Sequence, residues 1–174
     1  MRVSLHHTRA PRLAVLAVAV TVAAGCSHYS FSPSVRPHLK TVAIPVLVNE
    51  TLEYGAGQDL TDAIIDVFSD DNTLRVVDED SADSILSGTV SRYERSVLSY
   101  DSGGDPREYK VRVIASLAYE DLAKDQVIWE GDVEGWAVYS LTQADAEYTT
   151  EEAAREAAFA KLAQDLLSQT VQGW

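Results

Sequence analysis

Apolar and polar positions alternate most regularly from Tyr109 to Glu120. Tyr109, Val111, Val113, Ala115, Leu117 and Tyr119 share one face of an extended chain, and Lys110, Arg112, Ser116 and Glu120 share the other. A period of two over this length predicts a strand with one face on a core and one face available. Just before it, Asp101-Ser102-Gly103-Gly104-Asp105-Pro106 is a dense turn signal, so Ile85 to about Tyr100 reads as the outgoing arm of a long hairpin. Asp121 to Asp125 turns again, and Gln126 to about Tyr139 forms a further strand carrying Trp129 and Trp136. Two earlier runs, Thr41–Val48 and Leu74–Val77, also read as strands. Pro45 cannot donate to a ladder, which points to an edge position or a bulge.

Two segments change period. Leu60, Ile64, Val67 and Phe68 fall on one stripe of a helix running from about Ala56 to Ser69, with Asp59 and Asp62 in its early turns and Asp70-Asp71-Asn72 at its end. Phe159, Leu162, Ala163, Leu166 and Leu167 form the stripe of a closing helix from about Thr150 to Val171, which Thr149 or Thr150 is placed to cap. The order is β-α-β-β-β-β-α. It predicts an α+β fold, with two helices packed on one face of a mainly antiparallel sheet of four to five strands.

The N-terminus is built differently. Arg2, Arg9 and Arg12 precede the apolar run Leu13–Val22, which closes on Ala23-Ala24-Gly25-Cys26. This is a secretory signal, too short to span a bilayer. Cys26, the only cysteine, follows the small residues as in the lipobox of bacterial lipoproteins, where cleavage leaves an acylated cysteine as residue one. Ser27 stands where an aspartate resembles an inner-membrane retention signal, so the expected location is the periplasmic face of the outer membrane. The chain thus divides into a signal peptide (1–25), a Ser/Pro-rich lipidated tether (26–38) and a domain (39–174).

Removing residues 1–25 takes three arginines and no acid, leaving 11 basic against 27 acidic residues, a formal charge of −16. Such acidity argues against nucleic acid and against membrane attachment by bulk charge, so the lipid on Cys26 must supply the anchor. Beyond residue 39 there is neither histidine nor cysteine, which excludes thiol chemistry, a Ser-His-Asp triad and a zinc site with nitrogen or sulfur ligands in the domain. The expectation is a non-enzyme with no cofactor or metal beyond the covalent lipid. The acidic run Asp78–Asp83 lacks the glycine and terminal glutamate of a calcium loop.

Positive charge gathers on the hairpin, where Arg92, Arg95, Arg107, Lys110 and Arg112 fall close together. A turn centred near Gly103-Gly104 sets Arg95 opposite Arg112, with Lys110 on the same face. A slip of one residue exchanges Arg95 for Arg92 or Glu94. Like charges on one sheet face call for a neutralising partner, a phosphate-bearing lipid or an acidic wall, unless Glu94 and Glu108 balance them locally. Trp136, beyond Gly131 and Gly135, is a candidate interface anchor, whereas Trp129 reads as core.

These pieces together resemble a known family. The lipobox cysteine is followed by Ile44-Pro45-Val46, then by the helix Leu60-Thr61-Asp62-Ala63-Ile64-Ile65-Asp66-Val67-Phe68 and by Leu74-Arg75-Val76-Val77. Ala82-Asp83-Ser84-Ile85-Leu86-Ser87-Gly88, the hairpin Leu98-Ser99-Tyr100-Asp101…Glu108-Tyr109-Lys110-Val111-Arg112-Val113, Val127-Ile128-Trp129-Glu130 and an alanine-rich last helix complete the order. The arrangement is similar to the LptE family of lipopolysaccharide-assembly lipoproteins. The resemblance implies a subunit that sits in and plugs an LptD-like outer-membrane β-barrel during lipopolysaccharide transport, with lipopolysaccharide as a second candidate contact. The alternative, of a different class, is an outer-membrane-tethered regulator of a cell-wall synthase; residues 27–38 extend at most about 40 Å, a modest reach across the periplasm that favours a partner in the membrane itself.

Overall fold

The computed structural model describes residues 38–172. Their elements are β1 (Thr41–Ala43), β2 (Val48–Asn49), α1 (Ala56–Asp71), β3 (Arg75–Val76), a 3₁₀ turn (Glu79–Ser81), β4 (Ser84–Tyr100), β5 (Pro106–Asp121), β6 (Gln126–Tyr139) and α2 (Glu151–Gln172). The predicted class and element order hold. Cys26 and the signal and tether segments, apart from His38, lie outside the described residues.

The six strands form one mixed sheet, ordered β3-β1-β4-β5-β6, with β2 also paired to β4. The long strands β4, β5 and β6 are antiparallel, as expected. The short ones are not: β1 runs parallel to β3 and β4, and β2 runs parallel to β4. The reason is the helix. A crossover through α1 returns the chain so that the next strand runs in the same direction as the first. The expected strand Thr41–Val48 is also divided, because Pro45 has no N–H to continue its ladder. Past the break, the Leu47 N–H donates to Thr61 Oγ1 at 3.0 Å, and that hydroxyl donates to Gly57 O at 2.7 Å. A buried helix threonine thus satisfies the interrupted backbone.

Both helices pack on the face of the sheet carrying the apolar alternation. Val111, Val113, Ala115, Leu117 and Tyr119 are buried against Leu60, Ile64 and Phe68 of α1 and Ala154, Ala158, Phe159, Leu162 and Leu166 of α2. Asn72 closes α1 in the left-handed conformation (φ 59°), its N–H on Phe68 O. Thr150 caps α2, its Oγ1 accepting from Ala153 N at 3.2 Å. One position sets how closely α2 approaches β6: a Cβ on Gly135 would lie 2.0 Å from Ala158 O and 2.9 Å from Leu162 N. Glycine is required there by proximity.

Carboxylates fasten the base of the sheet. Asp83 accepts from Lys40 N (3.0 Å), Thr41 N (3.1 Å) and Thr41 Oγ1 (2.9 Å), joining the start of β4 to β1. The Lys40 backbone bond, with Thr41 beside it, holds the Asp83 carboxyl below its ordinary range. The wholly covered Asp121 accepts from the Ala123 and Lys124 N–H groups, both at 3.1 Å, and meets His38 Nε2 at 2.5 Å. The His38 hydrogen bond leads in lowering its pKa, against the opposing effect of burial. This pair fastens His38, ahead of β1, to the end of β5.

Candidate partner-binding surface

Because α1 and α2 cover the same face, the other face of β4, β5 and β6 has no element over it among the described residues. Alternation puts Lys110, Arg112 and Ser116 of β5 there beside Glu134 and Trp136 of β6, and Arg112 is directly opposite Trp136. Arg112 Nη2 donates to Glu134 Oε2 at 2.5 Å, and its Nη1 lies 3.9 Å from Glu94. Each partner stabilises the other's charged form: the Glu134 bond raises the Arg112 pKa, and the Arg112 bond lowers that of Glu134. Lys110 Nζ stands 4.7 Å from the centre of the Trp136 ring, a cation–π contact, and Trp136 remains 44 % exposed. Arg92 is 3.7 Å from Glu94. The surface is therefore amphipathic and nearly balanced in charge.

Arg95 does not belong to it. The expected register holds at Ser99–Glu108, but an irregularity between Val97 and Ser99 shifts the rest by one residue. Arg95 then faces Val111, and Glu94 takes the place opposite Arg112. On the helix side, Arg95 Nη1 donates to Glu151 Oε2 at 2.9 Å, and its guanidinium lies 5.5 Å from the Tyr109 ring centre. Tyr109 stacks on Tyr139 at 5.2 Å, and the Tyr139 hydroxyl donates to Glu151 at 3.3 Å. This cluster pins the first turn of α2. Glu108 is also diverted: it accepts from Ser99 Oγ at 2.6 Å rather than balancing an arginine. Trp129 packs partly buried against the core, as expected.

A second apolar feature escaped sequence reasoning. Leu52 and Tyr54, in the loop before α1, are 107 % and 96 % exposed, and Val46 and Val48 nearby are also exposed. The loop is nonetheless ordered. Asn49 Oδ1 accepts from Thr51 N (3.0 Å) and Thr51 Oγ1 (2.8 Å), while Asn49 Nδ2 donates to Glu53 O (2.8 Å). Arg155 of α2 holds Glu53 at 2.9 Å and Asp59 at 3.3 Å. Two large side chains are thus displayed on a braced support. The signal was Asn49-Glu50-Thr51-Leu52-Glu53-Tyr54-Gly55 itself, a turn-forming asparagine with apolar residues in an otherwise polar connection.

Beside the loop, Tyr93 and Arg155 share a recess of about 340 Å³ with Glu53, Glu151 and Glu152. Burial, with Glu53 and Glu151 close by, pushes the Tyr93 phenol up to about 12, so it stays protonated at neutral pH. No helix among the described residues is long and apolar enough to cross a membrane.

The family model for lipopolysaccharide-assembly proteins, LptE, matches residues 39–170. Solved structures sharing the fold include a minor lipoprotein from Acinetobacter baumannii, 15 % identical, covering 78 % of this chain and 93 % of that one at a TM-score of 0.53. Uncharacterized lipoprotein B from Nitrosomonas europaea is 18 % identical, with 76 % and 83 % covered and a TM-score of 0.53. The PelC dodecamer from Paraburkholderia phytofirmans is 15 % identical, with 82 % and 96 % covered and a TM-score of 0.52. No curated protein matches the sequence.

Proposed function

The chain belongs to the LptE family of lipopolysaccharide-assembly lipoproteins, and on that premise we propose that it is a non-catalytic subunit seated in an LptD-like outer-membrane β-barrel. Acylation of Cys26 anchors it at the periplasmic face of the outer membrane, where it plugs the barrel during lipopolysaccharide delivery. The observation that carries this reading is the helix-free sheet face, with Lys110, Arg112 and Trp136 adjacent on it. A tryptophan flanked by cations whose charges are already balanced suits a protein wall: the aromatic supplies contact area, and little uncompensated charge must be desolvated. The same balance makes this face a weaker receptor for the clustered phosphates of lipopolysaccharide. With Arg112 engaged by Glu134 and Glu94, and Arg92 by Glu94, Lys110 over the Trp136 ring is the cation left for such a ligand.

The test is recovery from detergent-solubilised outer membrane. A tagged full chain is expected to bring down a large barrel in stoichiometric amount, and Trp136→Ala with Arg112→Glu to lose it while remaining folded. Recovery with a cell-wall synthase, or barrel retention unchanged by the double substitution, would defeat the reading.

A further inference from the structure

Among the described residues, β6 is the outermost strand of the sheet and is paired only on its inner side. Backbone directions follow from one bond. Leu122 N donates to Asp83 O, so even-numbered residues of β5 turn their backbone toward β4 and odd-numbered ones toward β6. The register then sends the odd residues of β6 inward and leaves the N–H and C=O groups of Glu130, Asp132, Glu134, Trp136 and Val138 facing out. Ser140 continues the pattern: its N–H donates outward to Tyr148 O at 3.0 Å, so the returning chain occupies the next strand position at that end. From Val138 back to Glu130, no described residue does so. A groove of about 400 Å³ runs beside this edge, with Trp136 and Val138 on one wall, Ala157, Lys161 and Gln164 of α2 on another, and Tyr148 at its end.

Exposed edges are usually protected by lysine, proline or a covering element. Residues 126–139 contain no lysine, arginine or proline. Their charges are acidic, at Glu130, Asp132 and Glu134, and Glu147 adds another at the groove, while Lys161 on the α2 wall is paired with Asp165 at 3.3 Å. We propose that this edge is a strand-addition site, taking an extended basic segment of another polypeptide alongside Glu130–Val138. Backbone bonds to the five outward residues give the affinity, and lysine or arginine side chains opposite Glu130 and Asp132 give the selectivity. A second copy of this chain is the wrong occupant. Two-fold antiparallel pairing over all five outward residues is centred on Glu134 and sets that carboxylate against itself, and a shift to Asp132 adds Glu130 against Glu134; like charges directly opposed are destabilising. The partner is defined by strand chemistry, so the inference does not depend on the barrel reading.

The experiment uses the full mature lipoprotein in detergent and a twelve-residue peptide of alternating valine and lysine. Hydrogen exchange at Glu130, Asp132, Glu134, Trp136 and Val138 is expected to slow at least tenfold on binding, with inward-facing amides of β6 unchanged. A peptide N-methylated at every residue, and so without donors on either edge, keeps its charge but is expected to lose the protection, and Glu130→Lys with Asp132→Lys to lower affinity at least tenfold. Equal binding of the N-methylated peptide overturns the proposal by showing charge attraction alone. Unaltered exchange along β6, or dimerisation of the chain through β6, overturns it as well.

Discussion

Gly131 and Gly135 lie on the same strand and the same face, yet replacing each with alanine should have opposite consequences. A Cβ at Gly135 would sit 2.0 Å from the backbone oxygen of Ala158 and 2.9 Å from Leu162 N and Cβ, whereas one at Gly131 would meet nothing within 4 Å. An ordinary carbon–oxygen contact is about 3.3 Å, so in Gly135→Ala the middle of α2 must retreat by roughly 1 Å. A gap of that width forfeits about a quarter to a half of the dispersion energy between the facing atoms. Those atoms include the buried Ala154, Ala158, Leu162 and Leu166. Overpacking of this kind typically costs about 1–3 kcal/mol, and a backbone obstacle places this case near 3. With a urea slope of about 1.5 kcal/mol per molar, the unfolding midpoint should fall by about 2 M. Gly131→Ala should leave it unchanged or raise it slightly, by up to about 0.5 kcal/mol, since alanine costs less strand entropy than glycine. Urea titration followed by tryptophan fluorescence makes the comparison. Equal midpoints for the two variants would refute the close packing of α2 on β6.

Other expectations concern function and acid stability. Leu52→Ser with Tyr54→Ser should leave the unfolding free energy from urea titration within about 0.5 kcal/mol of the parent, because neither side chain is buried, while barrel retention drops if the braced loop is a contact. Arg95→Ala should speed amide exchange in the first turn of α2 and spare partner recovery, whereas Arg112→Glu should do the reverse. Phe68→Ala, fully inside the core, should cost about 3–5 kcal/mol by urea titration. The lowered carboxylates Asp83, Asp121 and Glu134 make stability pH-dependent. Their contribution is fully present above the ordinary values of 3.8 for Asp and 4.5 for Glu, and is lost as pH falls through the lower folded-state values. Asp83→Asn should therefore lower the urea midpoint at pH 7 and flatten its decline below about pH 4.

Local pattern carried much of this molecule. The alternation from Tyr109 to Tyr119 announced a sheet with one buried face, and the two helical stripes identified the elements that cover it. Pro45 pointed to an edge or a bulge and instead divides the strand, whose first half lies between β3 and β4, while Thr150 marked the start of the last helix. The order of motifs along the domain pointed to the family that the match over residues 39–170 shows.

Tertiary structure decided what spacing leaves degenerate. Strand side chains repeat every two residues, so one bulge between Val97 and Ser99 moved Arg95 to the opposite face without altering the periodicity that predicted either strand. The parallel direction of β1, β2 and β3 depends on where α1 returns the chain, a global property that a window of residues does not contain. Exposure behaves similarly: the apolar character of Leu52 and Tyr54 does not reveal that they stand in water, on a loop braced by Asn49 and Arg155. The open edge of β6 is of the same kind, because a strand becomes an edge only through the absence of a neighbour. Periodicity specifies which face of an element is apolar. What that face meets is settled by packing among segments far apart in the chain.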